Sequence, residues 1–483
     1  MRDTVEEMGL HWFLMVLTVL LAANGCGGDA TNRPGADLTE VPGIDVDGDP
    51  GDADDAEMPG TDVAVELPDV PPGPAILDRP VDLRFRCEVT RTATAPLPLR
   101  WASDAYAPVT TAGGRTFLVR REFDESVSSG YGPLVVSTFA PDGTLGAAIE
   151  LPSDPTAELW GMGAVPAGDG FLATWLEAGS LRTALRNADG GAVADPRILE
   201  ALIADVQSWP VAAPLGTGFA LSWGAPEGEG RAVRVQRLDA AGTVAGSPVT
   251  LAWTPEPWLD PTPTIAAGDG RWGVLWREGD WTRGYVNFAA VDAAGNIVVP
   301  AKRLSVDEPN VRISGGEFGR ARSALVPAGT GWLAAWAERR SGEAVDSGAS
   351  VTIKVARLDG EGNVIEVAPV RPVTAEVEEV QPVLVPFGDH VALFWSSGSV
   401  IYICTHCSPH HRIDMVLLDP ATLVPVSEPT SLVPSGAGGM LDPSGGFLDL
   451  QAAVTGDDFL MTFAERFHVS ADPLSATVRC TPR

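Results

Sequence analysis

The densest group of chemically capable side chains in the 483-residue sequence is Cys404-Thr-His-Cys407-Ser-Pro-His410-His411, with two thiols and three imidazoles inside eight residues. Thiolate and imidazole both suit zinc, so Cys404, Cys407, His410 and His411 form a candidate metal set. Structural zinc sites, however, usually draw their ligand pairs from two separated segments, and this is one short loop. A Cys404 to Cys407 disulfide stiffening a hairpin is therefore the preferred reading, with zinc as its alternative, and no cofactor is expected.

A second group pairs tryptophan with carboxylate: Trp160 with Glu158, Trp209 with Asp205, and Trp258 with Glu256 and Asp260. Indole faces stack on the C–H faces of a sugar while carboxylates bond its hydroxyls, so these residues form a candidate glycan site. The competing reading buries the same tryptophans as core. Two carboxylates about 5 to 10 Å apart can also run glycoside hydrolysis. Glu158, Asp205, Asp260 and Asp442 are the candidates for a hydrolase or lyase. No nucleophile elbow, phosphate loop or HExxH motif appears, and the six histidines are too few and too clustered for a triad. A binding protein is thus preferred over an enzyme, and an envelope scaffold is the third class.

What must position these groups is a repeat. In Ala213 to Leu251, Phe219, Leu221 and Trp223 alternate with small residues at the period of two that defines a strand. Leu215-Gly-Thr-Gly218 before them and Asp239-Ala-Ala-Gly242 after the next strand are turn signals, the Asp for backbone amides and the Gly for positive φ. Copies of the Gly-turn-plus-aromatic segment start at Gly113, Gly168, Gly216, Gly268, Gly329, Gly388 and Gly456, and Trp175, Trp223, Trp276, Trp336 and Trp395 are spaced 48, 53, 60 and 59 residues apart. Each unit is large enough for one four-stranded antiparallel blade, and radial stacking leaves only short edges. The expected fold is an all-β, seven-bladed β-propeller without the WD40 or kelch signatures.

The seventh unit lacks a complete fourth strand. The segment from Asp82 to Thr90 is expected to supply it, with a Cys87 to Cys480 disulfide fastening the ring; linking ends so far apart stabilises by roughly 4 to 5 kcal/mol in the chain-entropy model. Turns between strands one and two and between three and four are short and uniform. Loops between strands two and three vary, for example 122–132, 338–350 and 396–412, so ligands are expected on that face.

Residues 10–23, LHWFLMVLTVLLAA, are an apolar run of 14 with the length of a signal-peptide core, followed by Asn24-Gly-Cys26. Small residues leading to that cysteine resemble the lipobox of bacterial lipoproteins, which implies acylation of Cys26. From Gly27 to Pro74 the chain carries 13 Asp or Glu against the single Arg33 and no aromatic residue, the composition of a disordered, self-repelling tether. Asp45-Val-Asp-Gly-Asp49 within it lacks the twelfth-position Glu of a calcium loop. The expected organisation is a signal peptide over 1–25, a lipidated linker over 26–79 and a propeller over 80–483. With net charge −31 and no basic cluster, nucleic-acid binding is excluded. The whole chain resembles bacterial surface lipoproteins that carry an acidic tether and a repeat-built propeller. That resemblance implies an extracytoplasmic monomer held by its N-terminal lipid at the cell envelope, at the outer membrane or cell surface, with a glycan or protein ligand.

Overall fold

The computed structural model describes residues 73–483 apart from 95–105, 124–130, 140–143, 155–156, 158, 202–209, 229, 255–262, 280–283, 306–310, 314–322, 341–350, 372–376, 400–411, 434–445 and 468–469. The apolar run 10–23, Cys26 and the acidic tether up to residue 72 lie outside them.

Seven four-stranded antiparallel blades form a closed ring. Blade 3 is representative, with strands Val211–Leu215, Gly218–Glu227, Gly230–Leu238 and Val249–Thr254 hydrogen-bonded in that order. The first strand of every blade is innermost; each packs beside the next around the axis, and the seventh packs beside the first. A proline stands one residue before the end of four inner strands, at Pro166, Pro214, Pro327 and Pro386. Proline has no N–H to donate to a ladder, so its repetition there marks an edge strand, and this edge faces the axis.

Alternation places the repeated tryptophans between blades. Trp175, Trp223, Trp276, Trp336 and Trp395 are each at most 2% exposed. Each enters a hydrophobic cluster shared with the preceding blade, as Trp175 joins Phe117, Leu134 and Val136 of blade 1. The first glycine of the Gly-x-Gly turn needs left-handed backbone, with φ of +60° at Gly168 and +59° at both Gly216 and Gly329. At the second glycine the reason is proximity. A Cβ on Gly331 would sit 1.9 Å from the Leu358 carbonyl oxygen.

The Asp/Gly turns between strands three and four behave as their sequence predicts. Asp239 Oδ1 accepts from the Ala241 and Thr243 amides at 2.9 and 2.8 Å, and Asp292 and Asp359 repeat the arrangement, while Asp419, in a turn without the glycine, accepts from the Ala421 and Thr422 amides. A cation from the preceding blade then pins several of these turns. Arg237 donates to the Ala293 carbonyl and Arg271 to the Gly360 carbonyl, both at 2.6 Å.

The last blade takes its outer strand from the beginning of the domain. Strand Phe85–Thr94 pairs antiparallel with Ser470–Pro482, with Cys87 directly opposite Cys480 and the two joined by a disulfide. The seam read from the two cysteines is therefore the one the fold uses. Before that strand, residues 73–84 lie along the outer edges of blades 5 and 6. The Gly73 and Leu77 amides donate to the Val367 and Val370 carbonyls, the Asp82 amide to the Pro425 carbonyl and the Arg84 amide to the Val426 carbonyl. Ile76 is fully buried in the cluster shared by blades 5 and 6, and Arg79 pairs with Glu366 at 2.5 Å.

Candidate functional site

The inner strands of blades 2, 6 and 7 are longer than those of blades 3, 4 and 5, and each carries a bulge. The register slips between Trp160 and Gly163, between Val380 and Val383, and between Leu448 and Gln451. In each blade two residues thereby oppose one. That one is Trp175, Trp395 or Phe463, the aromatic position of the repeat. Bulges bend a strand and re-aim its side chains, and they concentrate beside binding sites. These three lie in the half of the inner strands nearest the crossings and the variable loops.

Between the bulged and unbulged strands the axis holds a cavity of about 240 Å³, lined from blades 1, 2, 4, 5, 6 and 7. Its polar lining is Thr264, Ser323, Gln381 and Gln451, and among the described residues no charged side chain reaches it. Gln381 belongs to the blade 6 bulge and is 9% exposed. Its Oε1 accepts from the Leu450 amide of blade 7 at 3.4 Å. Its backbone has φ of +54°, a region that a non-glycine residue occupies only under constraint.

At the variable-loop end of the blades, carboxylates of the second and third strands are held by neighbours. Glu177 pairs with Arg182, Glu227 with Arg234 at 3.6 Å, Glu338 with Lys354 at 4.0 Å, and Asp414 with Arg412 at 2.7 Å and Arg371 at 3.2 Å. The arrangement follows from register: Arg182, Arg234 and Lys354 stand opposite Trp175, Trp223 and Trp336. Blade 4 differs, because the residue opposite Trp276 is the neutral Asn287, which donates to Glu278 at 2.8 Å. Burial therefore pushes the Glu278 carboxyl above its ordinary range, with Arg303 and the Asn287 hydrogen bond offsetting only part of the effect. Arg303 itself lies 3.6 Å over the Tyr285 ring.

A raised carboxyl keeps its proton in the folded protein at a pH where the unfolded chain has released it. Its favourable contribution is complete below the unfolded value of about 4.3 and is lost as pH rises toward the folded value. Glu278→Gln should flatten the fall in stability across that window while leaving stability at lower pH unchanged. Chemical denaturation from pH 4 to pH 7 measures it, and parallel curves for parent and variant would contradict this origin.

Of the residues singled out by sequence, Trp160 lies in the inner strand Leu159–Ala167 opposite Leu176, at the outer side of the blade 2 bulge. Glu158, Asp205, Trp209, Glu256, Trp258, Asp260 and Asp442 lie outside the described residues, as do Cys404, Cys407, His410 and His411. Sequence reasoning did not find the cavity or Gln381. A signal was present: valine periodicity steps by three from Val380 to Val383 across Gln381-Pro382, a break in the alternation with proline inside it.

No protein-family model matches the chain, and no curated protein matches it. Among solved structures, it is similar to an ulvan lyase described as a new family of polysaccharide lyase, with a TM-score of 0.51 and 10% identity over 80% of this chain and 95% of that one. An ulvan lyase bound to -[GlcA(1-4)Rha3S]- gives a TM-score of 0.50 at 10% identity over the same shares. A Dyadobacter fermentans protein of unknown function gives 0.46 at 10% identity over 82% of this chain and 99% of that one. At such identity the likeness lies in the propeller fold.

Proposed function

We propose that this protein is a lipid-anchored, extracytoplasmic carbohydrate-binding propeller that engages glycans on its variable-loop face, at the mouth of the central channel. The observation that carries this reading is the channel cavity of about 240 Å³, whose described lining offers hydroxyl and amide groups between apolar walls. Such a surface suits a ligand that is itself a sheet of C–H groups edged by hydroxyls. The polysaccharide lyases with the same fold agree with this ligand class. Cys26 would supply the anchor and the acidic tether the spacing from the membrane, which mass spectrometry of a diacylated Cys26 peptide tests.

Incubating the full-length, detergent-solubilised protein with an array of neutral and anionic polysaccharides tests the ligand class. Saturable binding to a subset is expected, with Trp209→Ala and Trp258→Ala weakening it about tenfold, the loss of one aromatic contact with its burial. A blank array would overturn the reading. Catalysis is the second reading, favoured by Glu278, the one described carboxylate at the variable-loop end of a blade with a raised proton affinity. It predicts release of new reducing ends or of an ultraviolet-absorbing unsaturated sugar, abolished in Glu278→Gln; intact polysaccharide after incubation returns the protein to binding alone.

A further inference from the structure

From the cavity and its bulge we infer that the central channel is an end-on socket for a single uncharged, hydroxyl-bearing sugar ring, and that Gln381 is its specificity-determining residue. The inference rests on the carbohydrate reading above and names the part of the glycan that enters. Size is the first argument. The cavity, about 240 Å³, is smaller than the ~300–1,000 Å³ pockets that enclose drug-sized ligands, so it admits one ring and excludes an oligomer lying lengthwise.

Charge is the second argument. A uronate or sulfate drawn into this space would lose its water and find no counter-ion among the described lining residues, whereas a hydroxyl finds Thr264, Ser323, Gln381 and Gln451. Leu384 and Leu450 supply apolar wall against the ring's C–H groups. The inner strands add more hydrogen-bonding capacity, because among the described residues those of blades 1, 2, 3, 4, 5 and 7 pair with only one neighbour and turn their free backbone edge toward the axis.

Gln381 is held for the task by three independent constraints. The bulge opposite Trp395 places it, Pro382 follows it, and the Leu450 amide fixes its Oε1. The carboxamide then keeps its Nε2 to donate to a ligand hydroxyl in the cavity that Gln381 lines. Its left-handed φ of +54° is a backbone state in which glycine would be at ease, so a glutamine there is retained for its side chain.

The test titrates glucose, galactose, mannose, rhamnose, xylose and glucuronate separately against the full-length protein by saturation-transfer NMR. At least one of the five neutral sugars is expected to bind, with glucuronate at least tenfold weaker. Gln381→Gly suits the left-handed backbone and should fold, while sugar affinity falls about tenfold, the worth of one hydrogen bond. Gln381→Glu should fold and also lose the sugar. Unchanged affinity in Gln381→Gly, equal binding of glucuronate, or no binding by any of the five neutral sugars would overturn the socket. If polysaccharides bind on the array while none of those five does, the socket alone fails; if the array is blank as well, the carbohydrate reading fails with it.

Discussion

Reducing the Cys87–Cys480 bond is expected to destabilise the propeller by about 5 kcal/mol, lowering the thermal midpoint of a ~400-residue domain by about 6 °C. The bond joins residues 393 apart in sequence, and they face each other on the outermost pair of strands in blade 7. The chain-entropy model already gives ~4.7 kcal/mol for a loop of about 100 residues and rises slowly thereafter. Hydrogen bonds from Phe85–Pro482 to Thr94–Leu474 hold the same seam without sulfur, so the reduced protein should still fold, with a seam that opens more often. Calorimetry of parent and Cys87→Ser with and without reductant measures this. A parent midpoint that reductant does not move would show that the ladder alone closes the ring.

Trp336→Ala is expected to cost about 3–5 kcal/mol, because it empties the seam between blades 4 and 5 at its widest side chain. Trp336 is 1% exposed and packs with Leu275, Phe288 and Ala356, so little can collapse into the space. Trp336→Phe should cost far less. The indole nitrogen has no hydrogen-bond partner among the described residues, so phenylalanine removes an unsatisfied donor along with part of the volume. Phe463 already stands at the matching register position of blade 7. Urea denaturation of the two variants provides the comparison; equal losses would mean that Trp336 acts through something other than its bulk.

The same tryptophans explain how much of the molecule was legible. A large aromatic recurring every 48 to 60 residues, preceded by Gly-x-Gly and followed by an Asp/Gly turn, records a local unit whose internal hydrogen bonds depend only on nearby residues. Blade number, strand order and turn chemistry follow from it. Ring closure was legible for a different reason: Cys87 and Cys480 flank the repeats, and the seventh unit was one strand short.

The cavity was not legible in the same way. Its lining comes from six blades, one or a few residues at a time, and a residue such as Pro108 or Ala164 carries no chemical signature until the ring brings inner strands together. Gln381 drew no notice because glutamine in a strand reads as solvent-facing, and only the bulge opposite Trp395 sets it against the axis. The ion pairs at the variable-loop end of the blades were hidden likewise. Glu177 and Arg182 are ordinary charges in sequence, and strand register makes them diagonal neighbours on one blade face. Asn287 in place of a cation then gives blade 4 its distinct carboxyl.

The course of residues 73–84 bears on how this propeller answers a pull from its amino-terminal side. Tension at Gly73 acts first on separate hydrogen bonds to Val367, Val370, Pro425 and Val426, on the buried Ile76 and on the Arg79–Glu366 pair, which lie one after another along the segment. The series ends at Cys87, where the covalent link passes the force directly to Cys480. From there it acts along strand Ser470–Pro482, which lies between Phe85–Thr94 and Asp458–Phe467, so two ladders must shear together for it to leave. The segment is thus a short lead in series with a lock: its docking contacts must be lost before force reaches the disulfide and the blades that shape the channel.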